Sequence, residues 1–359
     1  MRKNLGVLIS TTVFRKAKSW FWVWFVFGGL IFGIDGAVGQ KPASEIGRFP
    51  RHPLSLDGSN FLKQTYLSRT DVPYKAIRRF YYSNKTGLGF YDEVVQVSFS
   101  KSNKKSRLFF QKTLANSFPE RLRRNNGFKF QAYDSFNEGF NYKYRDFRVV
   151  DPILAKKNYY VIPMGKTLTL NRKCALFFLK PKNGNHGSFL VVGDLKTAII
   201  VSYYCFNSEG SLNYALVSSE LHFGNFEKNP KQKWWKQKYQ KRKYLNLNSA
   251  FGKLGFKVSK YPKPTHGFVL QEITTLYDSL NDKSWVNLFY SDGILSRFLL
   301  IGKEDGGVDS FVEGENVIFK EIKRGNYYQI SSSLNGLSLV FIGQNSFQNL
   351  PPKLILSVY

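Results

Sequence analysis

Four histidines and a small set of carboxylates are the residues of this sequence that could perform acid–base or metal chemistry. No histidine shares a metal-ligand spacing such as HxxxH with a second ligand, since they stand singly at His52, His186, His222 and His266. Asp92 and Glu93 are the most suggestive acidic neighbours, but adjacent side chains on a strand point to opposite faces. No nucleophile elbow or glycine-rich phosphate loop is present. The pattern predicts no catalytic residues, no metal ligands and no cofactor, unless distant carboxylates meet through the fold.

Anion binding is the second chemistry that the residues suggest, in a basic and aromatic segment at 228–244. Basic side chains are interleaved there with Trp and Tyr, and Glu227 is the single acid between residues 226 and 248. This mixture suits a membrane surface or a polyanionic ligand. The same mixture suits single-stranded nucleic acid. A solvated basic linker without any ligand is the remaining explanation. The candidate contact residues are Lys231, Lys233, Trp234, Trp235, Lys236, Lys238, Lys241, Arg242 and Lys243.

The N-terminal sequence predicts export across a bacterial inner membrane. Basic residues precede an apolar run at 20–34, and small residues follow at 36–39, which is the order of a signal peptide. The run is shorter than the ~20 residues of a comfortable membrane span, so cleavage after Gly39 is favoured over a retained anchor. We therefore expect a periplasmic protein. An exported protein rarely meets nucleic acid, so no nucleic-acid partner is expected despite the formal net charge of +28.

Length and composition indicate two β-rich domains. A chain of 359 residues exceeds the usual size of one domain. Aromatic residues make up 17% of it, which favours strands and argues against a disordered chain. We interpret residues 1–39 as a signal peptide or anchor, 40–225 as the first domain, 226–249 as a linker and 250–359 as the second domain.

The elements of the first domain are predicted to be one helix at 57–68 and a meander of short strands. Such a meander predicts a strongly curved antiparallel sheet that encloses a hollow. Cys174 and Cys205 fall at opposite ends of two non-adjacent strands, so no disulfide is expected. The strands are predicted at 76–82, 91–98, 106–111, 128–133, 141–147, 159–163, 174–179, 188–192, 198–206 and 214–223.

Several of these strands are apolar on both faces, whereas an antiparallel sheet with one wet face alternates. One face is expected to pack on the helix, and the other is a candidate for the wall of an apolar cavity. A completely filled core explains the same pattern equally well. The candidate cavity residues are Phe110, Leu176, Phe178 and Ile200.

The second domain is predicted to contain a hairpin with an Asp-Gly turn. Apolar runs at 285–290 and 294–301 flank Ser291, Asp292 and Gly293, and an Asp-Gly step between such runs is a strong hairpin signal. A terminal helix is expected after Pro351-Pro352, because proline is tolerated in the first turn. The other strands are predicted at 268–277, 316–322, 327–332 and 337–342.

The residues of this second domain resemble the MucB/RseB family of periplasmic regulators of sigma-E-type envelope stress responses. The central match is the hairpin Tyr290, Ser291, Asp292 and Gly293. Around it lie further matching residues in the same order, namely Tyr261, Pro262, Pro264, Gly267, Phe268, Leu288, Phe289, Ile294, the strand 298–301, Gly325-Asn326-Tyr327, the strand 339–343, Pro351-Pro352, Ile355 and Ser357.

The first domain is similar to that family's first domain, which is itself similar to the LolA and LolB lipoprotein carriers. The matching residues are Asn158-Tyr159, Arg172, Pro181 and Asp194. One departure is Asn171, where the family usually has glycine. The resemblance implies a mainly β, α+β fold: a LolA-like half-open antiparallel β-barrel with covering helices, followed by a smaller β-rich C-terminal domain with a terminal helix.

This resemblance also implies a function without catalytic residues. Family members bind the periplasmic part of a membrane-embedded anti-sigma factor, and their first domain is thought to sense lipid-bearing ligands. The implied partners are therefore an anti-sigma factor and a lipid, lipoprotein or lipopolysaccharide ligand. Contact with a membrane surface is suggested only by the basic segment, which is not part of the family pattern. The alternatives are a periplasmic lipid or lipoprotein carrier and a surface protein that binds polyanions.

Overall fold

The structure of the protein is a computed structural model. It describes residues 53–84, 87–100, 105–116, 146–183, 187–224, 226, 239–255, 267–278, 283–303, 320–324, 327–334 and 337–343. These residues form two antiparallel sheets and three helices. The predicted signal segment at 1–39 and the predicted terminal helix after Pro351 lie outside the described residues.

The first sheet has eight strands in the order β3-β2-β1-β8-β7-β6-β5-β4. Neighbouring strands in this order pair antiparallel along the whole sheet. The elements are α1 (Gly58–Asp71), β1 (Tyr74–Asn84), β2 (Gly87–Ser100), β3 (Lys105–Asn116), α2 (Pro152–Asn158), β4 (Tyr159–Thr169), β5 (Arg172–Pro181), β6 (Ser188–Asp194), β7 (Ile200–Phe206) and β8 (Leu212–Phe223).

The predicted helix and eight of the predicted strands are confirmed, while the predictions at 128–133 and across most of 141–147 lie outside the described residues. Phe147 itself is described and is not in a strand. The short helix α2 was not predicted. Its start is nevertheless encoded locally, because Asp151 accepts hydrogen bonds from the amides of Ile153 and Leu154 and Pro152 occupies the first turn.

Helix α1 shows that the first sheet is strongly curved. It contacts both β3 and β4, which are the two terminal strands of the sheet. A sheet whose two edges reach the same helix must wrap around that helix. Because β3 and β4 do not pair with each other, the sheet remains open. The predicted half-open, helix-covered barrel is therefore the observed fold of this part of the chain.

Local sequence sets both ends of α1. Asp57 caps the helix by accepting hydrogen bonds from the amides of Ser59 and Asn60. Val72 ends it in an extended conformation, as expected for a residue that precedes proline. Between these ends Phe61 and Leu62 are fully buried, and the ring of Phe61 lies 4.1 Å from that of Phe177 on β5. Burial of such side chains typically contributes about 1.5–3 kcal/mol each.

The second sheet has seven strands in the order β13-β14-β15-β12-β11-β10-β9. The strands predicted on both sides of the Asp-Gly turn are confirmed as β11 and β12, which pair from Trp285 and Gly302 to Ser291 and Ser296. The elements are β9 (Tyr239–Tyr244), α3 (Leu247–Lys253), β10 (Val269–Asp278), β11 (Lys283–Ser291), β12 (Ser296–Lys303), β13 (Lys320–Arg324), β14 (Tyr327–Leu334) and β15 (Leu337–Gly343).

Part of the segment that we interpreted as a linker is regular structure. Residues Tyr239–Tyr244 form β9, which pairs with β10 from Asp278 to Ile273, and α3 begins at Leu247. The basic sequence of β9 lacks the apolar alternation that predicts a strand. Its strand conformation accompanies pairing with β10, a contact that the local pattern does not encode.

Cys174 and Cys205 are free and buried, in agreement with the sequence prediction. Burial raises the pKa of each thiol to about 12. Such a thiol is only about one part in ten thousand thiolate at pH 8, and the thiolate is the reactive species. We therefore expect a chromogenic disulfide reagent to label neither cysteine in the folded protein and both after unfolding in guanidinium chloride. Rapid labelling of the folded protein would contradict this burial.

Candidate functional site: the joint between the two sheets

The turn of the family-motif hairpin is buried instead of solvent-exposed. Ser291 and Asp292 are 0% exposed, although loops and turns normally lie on the surface. Helix α2 and the residues flanking it pack against this turn, and α2 leads directly into β4 of the first sheet. We call this contact the joint and define it by the residues Val150, Ala155, Asn158 and Tyr159 on one side and Gly267, Asp292 and Gly293 on the other.

Asp292 is the central residue of the joint. One carboxylate oxygen accepts hydrogen bonds from the amides of Ile294 (2.9 Å) and Leu295 (2.8 Å), which fixes the turn itself. The other oxygen accepts a hydrogen bond from the hydroxyl group of Tyr159, with an oxygen–oxygen distance of 2.7 Å. A carboxylate at full burial needs such donors, since an unsatisfied buried charge is strongly destabilising. One side chain therefore closes the hairpin and links it to β4.

Asn158 makes the second link across the joint. Its amide nitrogen donates to the carbonyl oxygens of Gly267 (3.1 Å) and Asp292 (2.8 Å). Gly267 has a φ of +82°, and a Cβ added there would lie 2.5 Å from the Asn158 carbonyl oxygen. Glycine is thus required at 267 both by the backbone conformation and by the closeness of Asn158.

Gly293 completes the joint through its backbone. Its carbonyl oxygen accepts a hydrogen bond from the amide of Val150, at 2.7 Å. Its φ is +104°, and an added Cβ would lie 2.6 Å from the Cα of Ala155. The first turn of α2 and the hairpin are therefore in direct backbone contact.

The electrostatics of the joint keep Tyr159 in its neutral, donating form. Burial raises the pKa of Tyr159 well above its ordinary value, and the negative charge of Asp292 adds to this effect. Burial lowers the pKa of Arg297 to about 10, while Asp292 acts in the opposite direction. The Arg297 guanidinium lies over the ring of Phe268, 4.1 Å from its centroid, which favours the cation. At neutral pH Tyr159 is therefore a neutral phenol, and the neighbouring Arg297 keeps its positive charge.

Chemically, this arrangement can align two sheets but offers no reactive group. The side chains of Asn158, Tyr159 and Asp292 are engaged in hydrogen bonds across the joint, and the fully buried Asp292 is inaccessible to a substrate. The two carboxylates that the sequence singled out are also engaged. Glu93 faces Arg78 in the interior, and Asp92 faces Arg79 on the other side of the sheet, which confirms that they point to opposite faces.

A half-open cavity of about 200 Å³ lies between the first sheet and α1. Thr65 and Ser68 of α1 line it together with Ile200, Tyr203 and Arg78. Arg78 is 4% exposed and donates to Glu93 and to Asp146, so part of the wall is ionic. The Thr65 hydroxyl is buried and has no hydrogen-bond partner among the described residues. The cavity thus combines apolar and polar walls.

Of the residues predicted to line an apolar cavity, Ile200 lies in the wall of this partly polar one. Leu176 and Phe178 are half-buried and alternate along β5 with Phe177 and Leu179, which belong to the aromatic core. The period of a strand therefore turns them to the opposite face of the sheet. Phe110 lies in β3 opposite Val95, and its side chain is outside the described part of the chain.

The structure describes only part of the predicted anion-binding segment. Lys241, Arg242 and Lys243 lie in β9, where Arg242 and Lys243 are exposed. The remaining candidates, Lys231, Lys233, Trp234, Trp235, Lys236 and Lys238, lie outside the described residues. Within the described ranges, no group of three or more His, Cys, Asp or Glu residues could hold a metal ion. No helix of the described chain has both the length and the apolar character needed to cross a membrane.

Sequence comparison finds no matching protein-family model and no matching curated protein. Among solved structures, the chain is similar to MucB in its complex with MucA(peri), with a TM-score of 0.47 and 13% identity over 80% of this chain and 93% of that chain. It is also similar to MucB in the Pseudomonas aeruginosa MucA/MucB complex, with a TM-score of 0.49 and 12% identity over 84% of this chain and 96% of that chain. A putative outer membrane lipoprotein-sorting protein domain from Vibrio parahaemolyticus is a more distant neighbour, with a TM-score of 0.22 and 8% identity over 48% of this chain and 96% of that chain.

Proposed function

We propose that this chain is a periplasmic, non-enzymatic regulator that binds the periplasmic part of a membrane-embedded anti-sigma factor. The observation that carries the proposal is the joint. Asn158-Tyr159 is among the fragments of the first domain that resemble the MucB/RseB family, and Tyr290–Gly293 is the central match in the second domain. They lie more than 130 residues apart in sequence, yet they contact each other directly.

This contact supports the proposal because the residues that resemble the family in the two halves of the chain then have one common physical role. A chance resemblance in two separate segments would not require the segments to meet. Here the amide of Asn158, the phenol of Tyr159 and the carboxylate of Asp292 interlock. The motif residues thus align the two sheets. MucB is bound to MucA(peri) in its solved complex, and the sequence resemblance extends that class of partner to this chain.

A rigid joint suits a protein that recognises its partner with two sheets at once. A partner that contacts both sheets binds more tightly when the spacing and orientation of the sheets are already fixed. Otherwise part of the binding free energy is lost in ordering the two sheets on association. A ligand that releases the partner must have different affinities for the bound and released forms. The joint keeps the free protein close to the form that binds.

The test measures binding and regulation with the full mature chain. We expect it to bind the periplasmic part of a single-span protein encoded beside an extracytoplasmic sigma factor, and Gly293→Ala to weaken this binding by at least about tenfold through the joint. Gly210→Ala, which alters an open turn of the first sheet, is the matched control and should bind normally. Deleting the gene should raise transcription of the sigma regulon. Absence of binding together with unchanged transcription would exclude the proposal.

A periplasmic lipid carrier is the second candidate, and the cavity under α1 is the observation that favours it. Its volume of about 200 Å³ lies below the roughly 300–1,000 Å³ typical of ligand pockets, and its wall includes the Arg78 ion pairs. Native mass spectrometry of the chain purified from membrane extracts distinguishes the two functions. A bound acyl species that Ile200→Trp removes would favour the carrier, whereas an empty cavity would argue against it.

A further inference from the structure

Strand β9 is the terminal strand of the second sheet within the described residues. It pairs with β10 along one edge, and the other edge has no partner strand there. Alternate residues of a strand direct their backbone N–H and C=O groups to each edge, so an unpaired edge can bind a further strand. Peptide recognition by strand addition uses this geometry.

The charge of β9 determines which strand can be added. Lys241, Arg242 and Lys243 follow one another, and the described side chains of Arg242 and Lys243 are exposed. Like charges directly opposite each other across two strands are destabilising, whereas opposite charges contribute favourably. A second copy of β9 is therefore a poor partner for this edge. An acidic extended segment has the complementary charge.

Strand β4, at one edge of the first sheet, differs from β9 in its suitability for strand addition. β4 carries Pro163, which has no N–H, and its pairing shifts register between Pro163 and Gly165. Proline and bulges are the usual features that prevent an edge from accepting a strand. The pairing of β9 with β10 runs from Tyr239 to Tyr244 without a register shift, and β9 contains no proline. Of these two edges, β9 has the geometry for strand addition.

We propose that the outer edge of β9 is a docking site for an acidic, extended segment of a protein partner, which adds as a further strand to the second sheet. Main-chain hydrogen bonds supply the geometry, and Lys241, Arg242 and Lys243 supply the preference for acidic sequences. The inference is independent of the anti-sigma proposal, because it concerns the chemistry of the bound segment and not the identity of its owner.

The test uses the full mature chain and a synthetic probe, an eight-residue peptide of alternating Glu and Val. Fluorescence anisotropy should show binding that weakens as salt rises. Lys241→Gln/Arg242→Gln/Lys243→Gln should reduce affinity by about tenfold or more, since three positive charges are removed from β9. The matched control Lys166→Gln/Lys173→Gln/Lys180→Gln removes the same charge from exposed positions on the first sheet and should leave affinity within about threefold.

A second probe separates strand addition from attraction by charge alone. The same peptide with alternate backbone amides N-methylated keeps its charge but loses the donors of one edge, so its binding should fall below detection. Equal binding of both peptides, or an equal loss of affinity in the two triple variants, would overturn the proposal. Vesicles of phosphatidylglycerol form a third arm. Vesicle binding that depends on β9 without any peptide binding would identify a membrane contact and would also overturn it.

Discussion

Gly293→Ala is expected to lower the free energy of unfolding by about 2–5 kcal/mol, combining backbone strain with steric overlap. Stabilities of native proteins are typically about 5–15 kcal/mol, so this change would remove a large part of the total. The reason lies in the joint. The backbone φ of +104° at this position is rarely adopted by residues other than glycine. In addition, an alanine Cβ would lie 2.6 Å from the Cα of Ala155.

The expected loss of stability combines a backbone contribution and a steric contribution. A left-handed backbone costs a non-glycine residue about 1–2 kcal/mol wherever it occurs. Overpacking against a rigid neighbour adds about 1–3 kcal/mol, and here the neighbour is helix backbone, which cannot rotate away as a side chain would. The overlap can be relieved only if the hairpin moves away from α2. That movement breaks the hydrogen bond from the Val150 amide to the Gly293 carbonyl oxygen.

Gly210→Ala is the matched control for this prediction. Gly210 has a φ of +81° but no atom within 4 Å of an added Cβ. It should therefore show the backbone cost alone, about 1–2 kcal/mol. Urea unfolding followed by circular dichroism measures both variants. Equal losses in the two would show that the contact between hairpin and helix contributes little, whereas separation of the Gly293→Ala transition into two steps would show that the joint couples the sheets.

Local patterns predicted much of the strand content of this chain but not its joint. Runs such as 174–179 and 198–206 are rich in apolar and aromatic residues and end at turn residues, so each identifies its own strand. The contact between Asn158 and Asp292 spans 134 residues, and no local period encodes it. The family resemblance picked out both segments without showing that they meet. Isolated glycines at 267 and 293 were the available signal, since each marks a close backbone approach.

Two further features of the structure could not be predicted from the spacing of apolar residues along the sequence. β9 is mostly basic between its two tyrosines and pairs with β10, which is a tertiary contact that its own sequence pattern does not encode. The extent of the cavity depends on how aromatic side chains fill the space around α1. Phe61, Phe147, Phe177 and Phe189 pack together there, and such filling is decided by shape and not by sequence spacing. A filled core and a hollow were equally consistent with the pattern, and both are present in the structure.

Arg78→Met is the second change with a large expected effect, a loss of about 3–5 kcal/mol of stability. Arg78 lies directly opposite Glu93 in the sheet and donates to it at 3.0 Å and to Asp146 at 2.6 Å. Glu93 is 0% exposed, so removing the guanidinium leaves a buried carboxylate without this cation. Breaking a buried pair on one side is strongly destabilising because the remaining charge has lost its compensation and cannot reach water.

The neighbouring pair provides the control on the same strands. Arg79 lies opposite Asp92 with a guanidinium–carboxylate distance of 2.6 Å, but its side chain is 42% exposed. Water screens this pair, so Arg79→Met should cost only about 0–1 kcal/mol despite the similar distance. In the double variant Arg78→Met/Glu93→Gln the uncompensated charge at 93 is gone, and part of the lost stability should return. If denaturant unfolding gave equal losses for Arg78→Met and Arg79→Met, burial would not be what distinguishes the two pairs. A double variant less stable than Arg78→Met would mean that Glu93 stabilises the interior through contacts other than the ion pair.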